Sequence, residues 1–261
     1  RLLASTKPTA VVHLAAETGT GQSLLESNRH ALVNVVGTTQ MLDAFTRHDA
    51  LPERILLTSS RAVYGEGAWT DEQGNLFYPG QRSEAMLAAG QWDFPGLKPL
   101  PFDSRRTVAG PTSIYGATKL AQEHLIRAWA LSFQVTPIFY RLQNVYGVGQ
   151  SLINPYTGIV NLFARKARAG EPIPVYEDGD IVRDFVYITD VASAIVEGLR
   201  HSSGNNDAYD IGLGEKTTML DVARVIAGFY HAPEPTITGQ FRNGDVRAAS
   251  CTLDGSVADL N

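Results

Sequence analysis

Residues 54–60, RILLTSS, form a short apolar run that ends in two serines. Such a run is typical of a strand buried on both faces of a parallel sheet. The preceding segment, NVVGTTQMLDAFTRH at 34–48, has the period of a helix with one apolar face, and AVVHLAA at 10–16 predicts another buried strand. The residues on the apolar face are Val35, Met41, Leu42 and Phe45. Strand, helix and strand in this order predict an α/β fold built from βα units.

The composition limits the classes of protein and of ligand. The chain has 261 residues, 44% hydrophobic and 19% charged, so it can bury a core and is not disordered. A net charge of −5 gives no general attraction to nucleic acid or to an anionic membrane, so an anionic ligand requires a few placed arginines or lysines. The single cysteine and the six scattered histidines lack metal-ligand spacing. The sequence therefore predicts a protein without a metal site.

Targeting signals are not recognisable in the sequence. No apolar run approaches the roughly 18 residues that a membrane-spanning helix needs. The first residues, RLLASTKPTAVVHL, lack the three-part order of a signal peptide. We therefore expect a soluble protein in the cytoplasm that does not bind membranes or nucleic acid.

A long irregular segment and a less regular second part follow the first βα units. Residues 66–112 scatter Gly, Pro, Trp and charged residues without a period, which predicts an insertion of a length that is usually functional or disordered. VTPIFYRLQNVYG at 135–147 predicts a further buried strand. From 151 onward, short mixed elements replace the regular alternation and predict a smaller lobe.

A tyrosine and a lysine stand four residues apart at the start of the helix predicted over 116–132. Residues i and i+4 lie on the same side of a helix, so the Lys119 ammonium can approach the Tyr115 phenol or a ligand beside it. A free tyrosine is a poor base at neutral pH, and a nearby cation lowers its pKa. Taken alone, the pair fits a helix surface as well as a catalytic acid and base.

Eight motifs, taken in their order along the chain, favour the catalytic interpretation of this pair. HLAA, NVxGT, SSxxVYG, YxxxK, RxxNVYGxGQ, RDFVYxxDVA, YxIGxG and GDVR occupy residues 13–16, 34–38, 59–65, 115–119, 141–150, 183–192, 209–214 and 244–247. In this order they resemble the extended short-chain dehydrogenase/reductase family that acts on nucleotide sugars. The resemblance implies a Rossmann-like doubly wound parallel sheet with a smaller α+β substrate-binding lobe.

The resemblance also implies a division of the chain and a missing segment. A dinucleotide-binding domain is expected over 1–150 and 175–200, and a substrate-binding lobe over 151–174 and 201–261. The family begins with a strand, a GxxGxxG turn and a helix, and none of these precedes AVVHLAA. We therefore expect the sequence to be a fragment that lacks N-terminal βα units and a C-terminal tail.

Roles for individual residues follow from the same resemblance. The expected catalytic residues are Tyr115, Lys119 and Ser60. The expected cofactor contacts are Ala15, Ala16, Asn34, Ser59, Tyr115 and Lys119. The expected substrate contacts are Ser60, Asn144, Arg183 and Arg247. The cofactor implied is NAD, and the sequence leaves NADP open because the segment that distinguishes them is absent.

The residues after Ser60 narrow the chemistry. Family dehydratases resemble STDEVYG, with an Asp-Glu pair as acid and base, where this chain has Arg61 and Ala62. Members that epimerise two carbons and then reduce resemble SSCIYP, with a cysteine at the place of Arg61. Oxidation and re-reduction at one carbon is left, which implies a 4-epimerase that uses Tyr115 as acid and base.

The substrate and the alternatives rest on weaker signals. The insertion resembles the longer segment of members that act on dTDP-L-rhamnose, and a UDP-hexose is the second choice. A 4-ketoreductase that consumes NAD(P)H would use the same three catalytic residues. A non-catalytic protein that senses the cofactor would not need to keep them.

A homodimer is the expected assembly. Family members pair through the helices that correspond to 34–48 and 116–132. Leu125 and Trp129 suit such a contact, although both also suit the core of one subunit.

Overall fold

The chain folds into alternating strands and helices, and the computed structural model describes residues 2–151, 158–201 and 208–253. The helices are α1 (Leu2–Thr6), α2 (Thr20–Leu25), α3 (Ser27–His30), α4 (Gly37–Arg47), α5 (Glu84–Ala88), α6 (Ile114–Phe133), α7 (Ile159–Arg168), α8 (Ile188–His201) and α9 (Met219–Tyr230). A π-helical turn, Ala31–Val36, leads into α4, and a 3-10 turn, Arg61–Tyr64, follows the second strand.

The strands are mostly short outside the central sheet. They are β1 (Ala10–His13), β2 (Arg54–Ser60), β3 (Trp69–Thr70), β4 (Leu76–Phe77), β5 (Lys98–Pro99), β6 (Thr136–Leu142), β7 (Asn144–Tyr146), β8 (Pro174–Val175), β9 (Val182–Arg183), β10 (Phe185–Tyr187), β11 (Ala208–Ile211), β12 (Thr217–Thr218), β13 (Thr236–Ile237) and β14 (Ala248–Ala249). The strands predicted over 54–60 and 135–147 are confirmed, the second as β6 followed by β7.

A parallel sheet in the order β1-β2-β6-β11 forms the centre of the fold. Successive residues of β2 point to opposite faces, so Ile55 and Leu57 join the core under α4 and α6, whereas Leu56 joins the core under α8. None of the three is accessible to solvent. Each such burial stabilises the fold by about 1.5–3 kcal/mol, which is why the middle of this strand is apolar on both faces. The predicted α/β class with a parallel sheet is confirmed.

Helix α6 is held against this sheet by its first turn. The Ser113 hydroxyl accepts a hydrogen bond from the Gly116 N–H at 3.0 Å and caps the helix. A Cβ on Gly116 would lie 2.4 Å from the carbonyl oxygen of Ala62, closer than real Cβ contacts allow. Glycine at this position therefore lets α6 touch the 3-10 turn that follows β2. The helix ends at Gln134, which adopts a left-handed conformation with φ of 57°.

The insertion predicted over 66–112 is ordered and has its own small sheet. Strands β4, β3 and β5 pair antiparallel, and Trp69 is fully buried. The Arg82 side chain, 1% exposed, pairs with Glu66 at 2.9 Å and with Glu177 of the second lobe at 2.9 Å. These buried ion pairs hold the insertion together and fix it to the second lobe, which explains an ordered segment without sequence periodicity.

The predicted division of the chain is corrected at two places. Strand β11, which was expected in the second lobe, pairs with β6 in the central sheet. Residues 175–187, which were expected in the first domain, include Val175 and Ile181 of the core under α7 and α9. Short elements that exchange between two lobes carry too little periodicity to be assigned from sequence. No helix among the described residues is long and apolar enough to span a membrane.

Candidate active site

A cavity of about 380 Å3 opens where the central strands end. Ser60 closes β2, and it lies beside Leu142, the last residue of β6, in the parallel register. Parallel strands direct their carboxyl ends to one edge, and ligands of such sheets bind there. Both parts of the chain contribute to the wall, since Arg183 and Gly244 come from the second lobe.

Most of the predicted site residues meet in this cavity. Those that line it are Ala16, Ser59, Ser60, Tyr115, Lys119, Asn144 and Arg183. Three others do not. Ala15 is exposed beside the cavity, and Asn34 and Arg247 are buried elsewhere.

Tyr115 and Ser60 come together because two short elements touch. Tyr115 is the second residue of α6, and Ser60 precedes the 3-10 turn against which α6 packs. The Ser60 hydroxyl accepts a hydrogen bond from the Ala62 N–H at 3.2 Å. Burial raises the pKa of Tyr115, while a hydrogen bond from Ser60 and the charge of Arg61 act in the opposite direction. The cation that opposes this rise in the Tyr115 pKa is therefore Arg61, where the sequence analysis expected Lys119.

Lys119 lies one turn further along α6 and is 1% exposed. Its Nζ donates to Oε1 of Gln122 at 2.6 Å. Burial lowers the pKa of Lys119 to about 8, and the nearby Glu123 carboxylate opposes that shift. The lysine is therefore charged at neutral pH but loses its charge at mildly alkaline pH, which makes it a tunable cation in the cavity wall.

Two guanidinium groups line the cavity. Arg61, in the 3-10 turn, donates through Nε to Oδ1 of Asn144 at 2.9 Å, and Arg183 lies on β9. Neither forms a salt bridge with a carboxylate among the described residues. Burial and the charge of Arg183 lower the pKa of Arg61 to about 9. The charges of Asp245 and Glu66 offset these two cations in part, and neither carboxylate pairs directly with them among the described residues. Two neighbouring guanidinium groups favour an anionic ligand, for which the guanidinium fork is suited.

Arg247 does not belong to this group. Its guanidinium donates to Asp178 at 2.7 and 2.8 Å, to Asp93 at 2.9 Å and to Glu177 at 3.2 Å. These carboxylates use its donors, so the side chain fastens the insertion to the second lobe. Arg247, which the sequence analysis expected to contact substrate, therefore lies outside the cavity lining in the structure, whereas Arg61, which it did not assign to the site, lines the cavity.

Asn34 and Ser59 have structural partners next to the cavity. The Asn34 amide donates to the Glu17 carbonyl and to the Thr118 hydroxyl at 2.9 Å each, and its oxygen accepts from the Glu17 N–H at 2.7 Å. These bonds hold the loop after β1 against α6. The Ser59 hydroxyl donates to Glu123, which also pairs with Arg141 at 2.8 Å.

Gln143, which follows β6, has a buried side-chain amide without a partner. It lines the cavity and is 5% exposed, and neither its oxygen nor its nitrogen has a hydrogen-bond partner among the described residues. A buried amide of this kind is costly unless a ligand completes it. The carboxamide of a nicotinamide offers one donor and one acceptor group, which matches both atoms. With Lys119 and Tyr115 beside it, the cavity fits the nicotinamide end of NAD.

The acidic and histidine side chains do not form a metal site in the part of the chain that the structure describes. No group of three or more His, Cys, Asp or Glu side chains there is arranged to hold an ion. Cys251 is buried and free.

Comparisons with known proteins identify related sequences. The model of the NAD dependent epimerase/dehydratase family matches residues 93–212, and that of GDP-mannose 4,6 dehydratase matches residues 1–79. The dTDP-L-rhamnose 4-epimerase of Burkholderia thailandensis is 58% identical over 259 residues, covering 99% of this chain and 71% of the relative. A dTDP-glucose 4,6-dehydratase of Escherichia coli is 28% identical, and the match covers 87% of this chain and 57% of the relative.

Solved structures share the fold. The UDP-glucose 4-epimerase of Thermotoga maritima, solved with UDP-glucose, matches with a TM-score of 0.79 and 24% identity, covering 100% of this chain and 73% of that chain. The UDP-glucose 4-epimerase of Thermus thermophilus, solved with NAD, matches with a TM-score of 0.74 and 25% identity, covering 100% of this chain and 75% of that one.

Proposed function

The chain belongs to the NAD dependent epimerase/dehydratase family, and we propose that it inverts C4 of a nucleotide-activated sugar, with dTDP-L-rhamnose as the substrate. One observation carries the proposal. Ser60, Tyr115 and Lys119 line a single cavity, together with the unpaired amide of Gln143 and the arginines Arg61 and Arg183. The 58% identity to a dTDP-L-rhamnose 4-epimerase supports the choice of sugar.

The residues of the chain divide the proton chemistry among themselves. Tyr115 takes the proton of the 4-hydroxyl as a base and returns it to the oxygen of the 4-keto sugar as an acid. Ser60 hydrogen-bonds the same oxygen, and the Lys119 ammonium would hold the ribose of NAD. When bound, NAD would supply the acceptor and then the donor of one hydride. Inversion at C4 requires the 4-keto sugar to turn over in the cavity between the two halves of the reaction.

Arg61 and Arg183 hold the diphosphate of the substrate in this account, with Asn144 between them. Arg61 follows β2 of the central sheet and Arg183 lies on β9 of the second lobe, so an anion held by both bridges the two lobes. Ala62 is the neighbour of Arg61 in the position where dehydratases carry an acidic residue, so elimination of water lacks an acid and base here. This favours the epimerase within a family that also includes dehydratases.

The insertion contributes to substrate choice only indirectly. None of its residues from 66 to 111 lines the cavity. Through Arg82 and through Asp93, which binds Arg247, it holds the segment at 244–246 that does line the cavity. The insertion therefore supports one wall of the cavity without lining the cavity itself.

A homodimer and a cytoplasmic location complete the proposal. The dimer forms through the helical segment 31–47 and α6. Leu32, Val33 and Val36 expose between 39% and 53% of their area, and Leu131 of α6 exposes 66%. Apolar side chains of this size on neighbouring helices favour an interface.

The test uses the full-length protein with dTDP-L-rhamnose, catalytic NAD and, in parallel, UDP-glucose. Proton NMR follows the coupling constants of the C4 proton. We expect a C4 epimer from the deoxysugar without stoichiometric reduced cofactor, and no turnover by a folded Tyr115→Phe variant. Conversion of UDP-glucose alone would overturn the substrate, and full activity of Tyr115→Phe would overturn the role of the tyrosine.

A further inference from the structure

The Lys119 ammonium lies at one end of a buried chain of hydrogen bonds that runs from α6 to α4. Gln122 accepts from Lys119 at 2.6 Å and donates through Nε2 to the Thr38 hydroxyl at 2.8 Å. Thr38 in turn donates to the Asn34 carbonyl at 2.6 Å. The side chains of Thr38, Lys119 and Gln122 are at most 1% exposed.

Chemistry fixes the direction of the bond between Lys119 and Gln122. An ammonium only donates, so the group of Gln122 that faces it is the amide oxygen. The Gln122 amide nitrogen then points away from Lys119, toward the Thr38 hydroxyl at 2.8 Å and Nε2 of His13 at 3.2 Å. That His13 nitrogen also lies 3.0 Å from the Thr38 hydroxyl oxygen. Burial and the charge of Lys119 lower the pKa of His13 to about 4, so the imidazole is neutral at neutral pH.

From this arrangement we infer that Gln122 is a positioning residue that holds the Lys119 ammonium in its charged form and aims its remaining N–H groups into the cavity. The inference rests on the proposed function of Lys119 in the same cavity. An ammonium has three donors, and Gln122 provides the one side-chain acceptor recorded for it among the described residues. A hydrogen bond to the charged form of a buried group favours that form.

The other charged and titratable groups near Lys119 are accounted for. His13, on β1, is neutral at neutral pH. Glu123, on α6, is held by Arg141 of β6 at 2.8 Å, and its charge raises the pKa of Lys119. Tyr115 and Arg61 share the cavity wall with Lys119. Gln122 is thus the neutral contact on which a substitution can act without breaking an ion pair.

The experiment titrates Lys119 directly in the full-length protein labelled with 13C at the lysine Cε atoms. Its signal is identified as the one that disappears in Lys119→Met. Gln122→Met keeps the length of the side chain but removes the acceptor, and Gln122→Glu keeps the acceptor and adds a charge. Gln91→Met, at an exposed glutamine of the insertion, is the matched control.

We expect Lys119 to titrate near pH 8 in the unmodified protein and in the control. Gln122→Met lowers that pKa, and Gln122→Glu raises it by about one unit or more, because an opposite charge at this distance favours the ammonium. The alkaline limb of the pH profile of kcat moves the same way, and kcat falls by about tenfold or more in Gln122→Met while KM for the sugar nucleotide changes little.

Thermal unfolding separates this role from simple packing. If the Gln122 variants lose stability but leave the Lys119 titration at the wild-type pH, the positioning role is overturned. The NMR titration requires no substrate, so shifts of the expected sign in a protein that epimerises no sugar would contradict the proposed function instead.

Discussion

The contacts of Arg61 in the structure indicate a role that its position in the sequence motif did not. In the sequence it is a departure from the motifs of dehydratases and of cysteine-containing epimerases. In the structure it donates to Asn144, lines the cavity together with Arg183 and opposes the rise that burial causes in the pKa of Tyr115. A side chain at the end of a central strand is positioned by the sheet, so its neighbours come from segments distant in sequence.

The first prediction concerns this guanidinium. Arg61→Met should raise KM for the nucleotide sugar about tenfold or more, since a charged hydrogen bond to phosphate is lost. Tyr115 loses the cation that lowers its pKa, and because the phenolate is the base, the acid limb of the kcat profile should move to higher pH. Calorimetry with dTDP and with thymidine measures the binding part in the full-length protein.

Arg224→Met is the matched control, because Arg224 lies on the surface in a pair with Glu234 and outside the cavity. It should leave both constants unchanged. If dTDP binds Arg61→Met as tightly as it binds the unmodified protein, Arg61 does not contact the diphosphate.

The sequence could predict which residues meet in the site where their spacing along a helix or strand determines their neighbours. Tyr115 and Lys119 share a helix, and Ser60 ends a strand of the same sheet, so their meeting follows from local rules and the strand order. Arg247 could not be assigned this way, since its partners Asp93 and Asp178 come from the insertion and from the second lobe. Gln143 could be recognised as a site residue only in the structure, where its buried amide has no hydrogen-bond partner among the described residues.

At the scale of elements, the contact between α6 and the 3-10 turn decides the geometry of the site. Gly116 allows the carbonyl of Ala62 to approach the helix backbone, and the same contact sets Tyr115 beside Ser60. Helix propensity alone disfavours glycine in the first turn of a catalytic helix, by about 1 kcal/mol relative to alanine. Gly116 therefore weakens the helix locally, but it lets the backbone of α6 approach the 3-10 turn closely.

The second prediction tests this contact. Gly116→Ala places a Cβ 2.4 Å from the Ala62 oxygen, so the helix start must shift away from Ser60. We expect kcat to fall at least about tenfold, because acid-base transfer requires hydrogen-bond distance. The measurement is steady-state epimerisation together with thermal unfolding.

Gly228→Ala in α9 is the control, as a Cβ there meets no atom within 4 Å. It should leave kcat unchanged and stabilise the protein by about 0.4–1 kcal/mol. Unchanged kcat in Gly116→Ala would show that the close approach does not position Tyr115.

The buried face of α6 marks the limit of sequence patterns at this scale. Thr118, Lys119, Gln122 and Glu123 are buried, whereas Leu131 is exposed. The sequence predicts the helix over 116–132 but not its whole inner face, because the first half of that face is polar and held by hydrogen bonds, whereas Ile126 and Ala130 further along join the apolar core. The insertion also lacks an apolar sequence pattern, because the ion pairs of Arg82 with Glu66 and Glu177 stabilise it where other segments use an apolar face.

For the whole molecule, the α/β class with a parallel sheet was the most predictable feature and the lobe boundaries were the least. Parallel strands connected by helices follow from alternating apolar runs, and the four-stranded sheet confirms them. The second lobe contains two-residue strands such as β8 and β9, whose pairing depends on distant segments. Their sequences are too short to carry a period.

The third prediction concerns assembly. Val36→Glu places a charge on the exposed apolar surface of the segment 31–47, so it should weaken the homodimer by at least about tenfold. Sedimentation velocity over a concentration series measures the change. Val225→Glu, on the exposed face of α9, is the control and should leave the dimer intact. A Val36→Glu protein that sediments as the unmodified one would place the interface elsewhere.

The measurement that tests the central claim follows a label at C4. The full-length protein is incubated with dTDP-L-rhamnose carrying deuterium at C4 and with catalytic NAD in ordinary water, and the product is analysed by NMR. Return of the same hydride to the other face predicts a C4 epimer that retains deuterium at C4. Loss of the label to solvent, or proton exchange at C3 or C5, would contradict a reaction in which Tyr115 serves oxidation and reduction at one carbon.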